Sequence, residues 1–147
     1  MESHHHREET HIGALITLQD QAISNRDLNA AVENYQYDVK IFDVVGPLQQ
    51  HGVSEVKARL TAWTGNFSEE PVRLTTHQLV VVAEESIAFS NCIKHISANL
   101  KNGNKLEGYW RETLCWEKLQ GEWKIVASHS SVPFNATTGV AEVGLKL

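Results

Sequence analysis

The chain has 147 residues, a net charge of −5 and 41% hydrophobic residues, with three prolines and two cysteines. This length fits one domain, and the hydrophobic content excludes a disordered chain. Two cysteines exclude a disulfide-framed miniature fold. Apolar stretches such as residues 79–83 are strand-sized, well below the ~20 residues of a membrane span. An acidic balance without a basic stripe speaks against nucleic acid as a partner.

Residues 1–10 lack the apolar core of a secretory signal and read as a flexible tail, so a cytoplasmic location is expected. The run His4-His5-His6 within it would bind metal only adventitiously. Next, Ile12, Leu15, Ile16, Gln19, Ala22 and Ile23 recur at three- and four-residue steps, the pattern of a helix with one apolar face. Ser24-Asn25 ends it. Asp27 is a good N-cap for a second short helix, with Leu28, Ala31, Val32 and Tyr35 turned inward. Val39, Ile41, Phe42, Val44 and Val45 are strand formers. Gly46-Pro47 makes a turn, residues 48–51 return as a second strand, and Gly52 breaks the chain. Ser54 can cap a third helix bearing Val56, Leu60 and Trp63, closed by Gly65-Asn66.

From Pro71 onward the chain reads as four long strands, at residues 72–83, 87–97, 106–118 and 122–132. The joints Glu84-Glu85-Ser86, residues 101–104 and Leu119-Gln120-Gly121 are short and turn-like, so each consecutive pair is expected to form an antiparallel hairpin. Helices followed by strands predict an α+β fold: a curved antiparallel sheet of about six strands wrapped around three N-terminal helices. Residues 11–134 form the single domain, and residues 135–147 a tail or short strand. Helices cannot fill the whole concavity of such a sheet, so a pocket is expected at its wide end.

Alternation along the third long strand places Trp110, Glu112, Leu114 and Trp116 on one face and Tyr109, Arg111, Thr113 and Cys115 on the other. Along the last strand, Trp123, Ile125, Ala127, His129 and Ser131 share a face. The sequence leaves open which face looks into the pocket and which toward a second subunit. Arg111 and Glu112 are charges inside an apolar strand, where charges are usually paired; Arg111 either binds a carboxylate ligand or joins an ion pair. Tyr35, Trp63 and Trp110 are aromatic candidates for a pocket wall suited to a small apolar or aromatic ligand. Cys92 and Cys115 read as reduced thiols. His51, His77 and His95 are scattered without ligand spacing. No nucleophile motif, phosphate loop or zinc signature occurs, so no metal and no cofactor is expected.

Three segments carry a family resemblance. The first runs from Tyr35 to Gly52 and includes Phe42-Asp43-Val44-Val45-Gly46-Pro47-Leu48. The second is Trp110-Arg111-Glu112-Thr113 with Trp116. The third is Gly121-Glu122-Trp123-Lys124-Ile125-Val126 with His129-Ser130-Ser131-Val132-Pro133-Phe134. In these the chain resembles the nuclear-transport-factor-2-like superfamily, which includes ketosteroid isomerases, SnoaL-like polyketide cyclases and the association domain of calmodulin-dependent kinase. The resemblance implies a cystatin-like α+β cone and commonly a homodimer through the sheet face. It places Asp43 where the isomerases carry their general base, and His129 at a recurring histidine, either an acid or base beside Asp43 or Glu112, or an interface residue. The isomerases' oxyanion-hole tyrosine falls at Gln19, and their late aspartic acid near Thr113 or Cys115, so both usual donors are replaced. The kinase-domain arginines fall at Leu114 and Ser130, and a second histidine at Ala127. The implied function is small-molecule binding, with isomerase or cyclase chemistry on an apolar carbonyl compound and Asp43 as base. The alternative is a non-catalytic ligand-binding or oligomerisation module.

Overall fold

Among the described residues, three helices and six strands use the periodicities of the sequence in chain order. The computed structural model describes residues 4–147. Helix α1 spans His4–Ser24 and buries Ile12, Ile16, Ala22 and Ile23 on one face. The expected tail is therefore helical from His4 on; the rest of that expectation, residues 1–3, lies outside the described residues. Polar ties that apolar periodicity does not register hold this first stretch. Glu8 accepts from Lys118 Nζ at 3.1 Å and from the Trp123 indole N–H, and Glu9 accepts from the Ala83 amide at 3.1 Å.

Helix α2 (Leu28–Ala31) is capped by Asp27, whose carboxylate accepts from the Ala30 amide at 3.2 Å. Strand β1 (Tyr35–Phe42) starts earlier than the apolar run suggests, so Tyr35 opens a strand instead of closing a helix. β2 is only Gln50–His51, and α3 is Val53–Thr64. The N-cap of α3 is Gly52, not Ser54. Its φ of 92° lies in the left-handed region that glycine tolerates, and its amide donates to the Val39 carbonyl at 2.7 Å. Four long strands follow: β3 (Arg73–Ala83), β4 (Ile87–Asn99), β5 (Lys105–Leu119) and β6 (Glu122–Ser131).

The sheet order is β2-β1-β6-β5-β4-β3. β3 to β6 form the expected antiparallel hairpins, whereas β1 pairs with β6 in parallel, Ile41 facing Ser128. The sheet is open, with β2 and β3 at its edges, and the architecture is the expected α+β one. α1 packs on β3 and α3 on β1. Between helices and sheet lie Val39, Ile41, Val56, Leu60, Trp116 and Ile125, all essentially excluded from water. Each contributes about 1.5–3 kcal/mol of burial. Trp116 also donates its indole N–H to Ser90 at 3.0 Å, which satisfies both buried groups.

Two irregularities re-aim side chains. In β3, Gln78 takes φ 53° where the register with β4 shifts between His77 and Val80. In β6, Cys115 faces Ala127 while Trp116 faces Ile125, so Val126 is an extra residue. Beyond β6, the expected tail or short strand makes one bridge, Phe134 to Ala141. It returns to the sheet at Gly108, where a Cβ would lie 3.1 Å from the Val143 carbonyl oxygen. Among the described residues no helix is long and apolar enough to cross a membrane.

Candidate functional site

The inner sheet face, α1 and α3 leave between them a cavity of about 550 Å³. Tyr35, Ile41 and Asp43 reach it from β1 and the turn that follows. Trp63 comes from α3, Ile96 from β4, and Trp110 and Glu112 from β5. Trp63 meets Trp110 edge-to-face, ring centroids 6.1 Å apart, and Phe67 at 5.2 Å. One wall is therefore a rigid aromatic corner. A shallower groove of about 410 Å³ between α1 and the start of β3 lies on the other side of Asp20 and lacks an aromatic wall.

At the polar end, charges arrive from four elements. Lys94 on β4 is buried and reaches the buried Asp20 of α1 at 2.6 Å. Its ammonium also donates to Thr76 Oγ1 at 2.7 Å, and that hydroxyl donates to the other Asp20 oxygen at 2.5 Å. This closed triangle offsets the desolvation of both ions. Glu112 lies 3.8 Å from the same ammonium. Burial pushes the Glu112 carboxyl above its ordinary value; Asp20 and Asp43 add to this, while Lys94 and Arg59 oppose it. Burial pulls the Lys94 ammonium down, but Glu112 and Asp20 outweigh it and hold Lys94 above its ordinary value. Glu112 is thus shifted toward its protonated form.

Asp43 and Arg59 form a second pair, Oδ2 to Nε 2.8 Å. The N–H does not point at the oxygen: both atoms are buried and neither makes a directed hydrogen bond. The other carboxylate oxygen of Asp43 accepts from the Val44 amide at 2.7 Å. Tyr35 accepts from Gln19 Nε2 at 3.2 Å. Burial, and then Glu112, raise its hydroxyl above the ordinary phenol value, so it keeps its proton at neutral pH. That proton has no acceptor among the described residues, which leaves Tyr35 a donor toward the cavity.

Five of the seven expected site residues meet here: Tyr35, Asp43, Trp63, Trp110 and Glu112. The other two do not line the cavity. Arg111 and His129 lie on the outer sheet face and are exposed. Arg111 donates to Ser131 at 3.1 Å, and His129 stands edge-on to Phe42 with centroids 5.6 Å apart. The physical reason for His129 is the bulge at Val126. Trp123 and Ile125 face inward, and the extra residue then turns Ser128, Ser130 and Val132 inward and His129 outward. Strict alternation carried past residue 126 puts His129 on the wrong face.

Lys94, Asp20, Arg59 and Gln19 were not singled out from the sequence as charges or donors of the site. Lys94 carried a signal: it is a charge at an inward position of the β4 alternation Ser90, Cys92, Lys94, Ile96, as Glu112 is in β5. Asp20 and Arg59 sit on helices, where a charge beside the apolar stripe looks solvent-facing. Gln19 occupies the position where the resemblance places a tyrosine, and the structure brings the Tyr35 hydroxyl to it from β1. The cavity therefore holds the Tyr35 O–H donor and the Glu112 carboxyl at positions other than those the resemblance names. Among the described residues no group of three or more His, Cys, Asp or Glu could hold a metal ion.

The SnoaL-like domain family matches residues 12–135, and the chain belongs to that family, within the nuclear-transport-factor-2-like superfamily. Among solved structures it is similar to an NTF2-like protein of unknown function from Pseudomonas putida KT2440. The two are 26% identical over 96% of this chain and 97% of that one, with a TM-score of 0.84. A nuclear transport factor 2-like protein from Salmonella enterica is 19% identical over 91% and 96%, TM-score 0.77. A cystatin-like protein from Caulobacter vibrioides is 18% identical over 88% and 92%, TM-score 0.70. These last two likenesses concern the fold. No curated protein matches the chain.

Proposed function

We propose that the protein binds a small apolar carbonyl compound in this cavity and moves a proton on it, with Asp43 as general base. The carrying observation is that the Asp43 carboxylate shares an aromatic-walled cavity with the Tyr35 hydroxyl and with the Glu112 carboxyl, which burial shifts toward its protonated form. Asp43 takes a proton from the carbon next to the carbonyl. The electrons of that C–H bond form a C=C bond, and the carbonyl π electrons move to oxygen. Hydrogen bonds from Tyr35 and Glu112 stabilise the enolate oxygen as its charge grows. Arg59 steadies the carboxylate without pointing its N–H at it. Return of the proton to a different carbon completes an isomerisation; attack of the enolate carbon on a second carbonyl, whose oxygen then takes the proton back from Asp43, completes a cyclisation.

The test is α-proton exchange in D₂O, followed by NMR over a panel of cyclic and aryl ketones. Acceleration by the protein that disappears in Asp43→Asn supports the base role. Acceleration that persists in Asp43→Asn rules it out.

One observation favours a second reading, binding without chemistry: Asp43 already has Arg59 as an ion partner. In that case ketones bind saturably, wild type and Asp43→Asn alike, and no exchange is accelerated.

We also propose a homodimer through the outer sheet face, where Val80, Val82, Ile87 and Phe89 are exposed side by side on β3 and β4. Sedimentation should give a dimer, and Val82→Lys with Phe89→Glu a monomer. A monomeric wild type would remove this part of the proposal.

A further inference from the structure

The cation with donors to spare is Arg59. Lys94 is satisfied by Asp20 and Thr76. Arg59 has one protein partner among the described residues, Asp43, which approaches Nε off the line of its N–H. Among the described residues the N–H groups on its two η nitrogens have no protein acceptor, although the side chain is 28% exposed and lines the cavity. A guanidinium fork in a partly dehydrated wall suits a planar, two-oxygen acceptor. The aromatic wall stands beside it, because Trp63 follows Arg59 by one helical turn on α3 and meets Trp110 across the cavity.

We propose that Arg59 is a specificity residue that binds a carboxylate of the ligand, and that the ligand is an aromatic or polycyclic apolar carboxylate. This rests on the cavity reading above and names the substrate class of the same site. A carboxylate fits better than a phosphate. Asp20 and Asp43 share the cavity, and a dianion would meet more repulsion than a monoanion. Asp43 is the competitor for the same guanidinium, so its removal should strengthen ligand binding while it weakens proton transfer.

Calorimetric titration with 2-naphthoate and the neutral 2-naphthamide tests this. Wild type should bind naphthoate at least about tenfold more tightly than naphthamide, the scale of one charge-assisted hydrogen-bonded pair. Arg59→Met should bring that ratio close to one and keep naphthamide binding. Asp43→Asn should tighten naphthoate, and Arg111→Met, on the outer face, should change neither. If Arg59→Met fails to fold, Asp43→Asn with Arg59→Met, which leaves no unpaired charge, gives the same readout. A wild-type ratio near one, a preference that survives loss of Arg59, or no binding of naphthoate would each overturn the proposal. Such a result with ketone exchange intact would leave Asp43 as base and remove only the carboxylate.

Discussion

Lys94 and Asp20 stand 74 positions apart in the chain, and their charged atoms meet at 2.6 Å in the interior. The contact fastens α1 to the middle of β4 beside the cavity. Removing one member leaves the other as an uncompensated buried charge. Lys94→Met should therefore lower stability by about 3–5 kcal/mol, and Lys94→Met with Asp20→Asn by clearly less. Urea denaturation of the two variants checks this. Equal losses would mean that the pair is not what the interior depends on.

Glu112 makes stability depend on pH with a defined sign. Its folded-state pKa is raised above the unfolded value, first by burial. The folded state then holds the proton more firmly, so this contribution is complete below the unfolded pKa of about 4.5. It is lost as pH rises through the raised folded value. Wild type should thus lose stability relative to Glu112→Gln on going from pH 4 toward neutrality. Denaturation curves of both proteins across that range decide it, and a growing wild-type advantage would contradict the assignment.

The two thiols should react unequally. Cys92 is buried and free, and burial pushes its thiol up to about 12. Cys115 is free and exposed on the outer face. Iodoacetamide at pH 8 should label Cys115 in the folded protein and leave Cys92 unmodified until denaturant is added. Mass spectrometry of the digested protein reads the difference. Rapid labelling of Cys92 without denaturant would contradict its placement.

Much of this was legible in the sequence, for reasons that can be located. The four long strands and their hairpins follow from alternation and turn chemistry, and the apolar stripe of α1 from its three- and four-residue steps. Tyr35, Trp63, Trp110 and Glu112 could be chosen because each is either a charge in an apolar strand or a large aromatic, and Asp43 because the family resemblance places the isomerases' base there. His129 could not be placed, since a single extra residue at Val126 reverses the face of everything after it and no local signal marks that bulge. The helical start at His4 depends on Glu8 and Glu9 reaching β3, β5 and β6, contacts between distant parts of the chain. Arg59 and Asp20 look like surface charges on amphipathic helices until the sheet curves over them. Lys94 was the legible miss, a charge at an inward position of β4 by the same rule that picked out Glu112.

Tyr35 and Glu112 should act on the carbonyl oxygen, not on the base. Tyr35→Phe and Glu112→Leu should each slow α-proton exchange by about 100- to 1,000-fold, the range for loss of one oxyanion donor, with ketone binding changed far less. A loss of binding that matches the loss of rate would make them ground-state binding groups only.

Asp43 is the centre of the proposed chemistry, and α-proton exchange of a bound ketone, compared between wild type and Asp43→Asn, tests its role most directly. The prediction is a wild-type acceleration that falls by at least about 100-fold in Asp43→Asn, the scale of one general base, while the ketone still binds. Exchange at the wild-type rate in Asp43→Asn would contradict it.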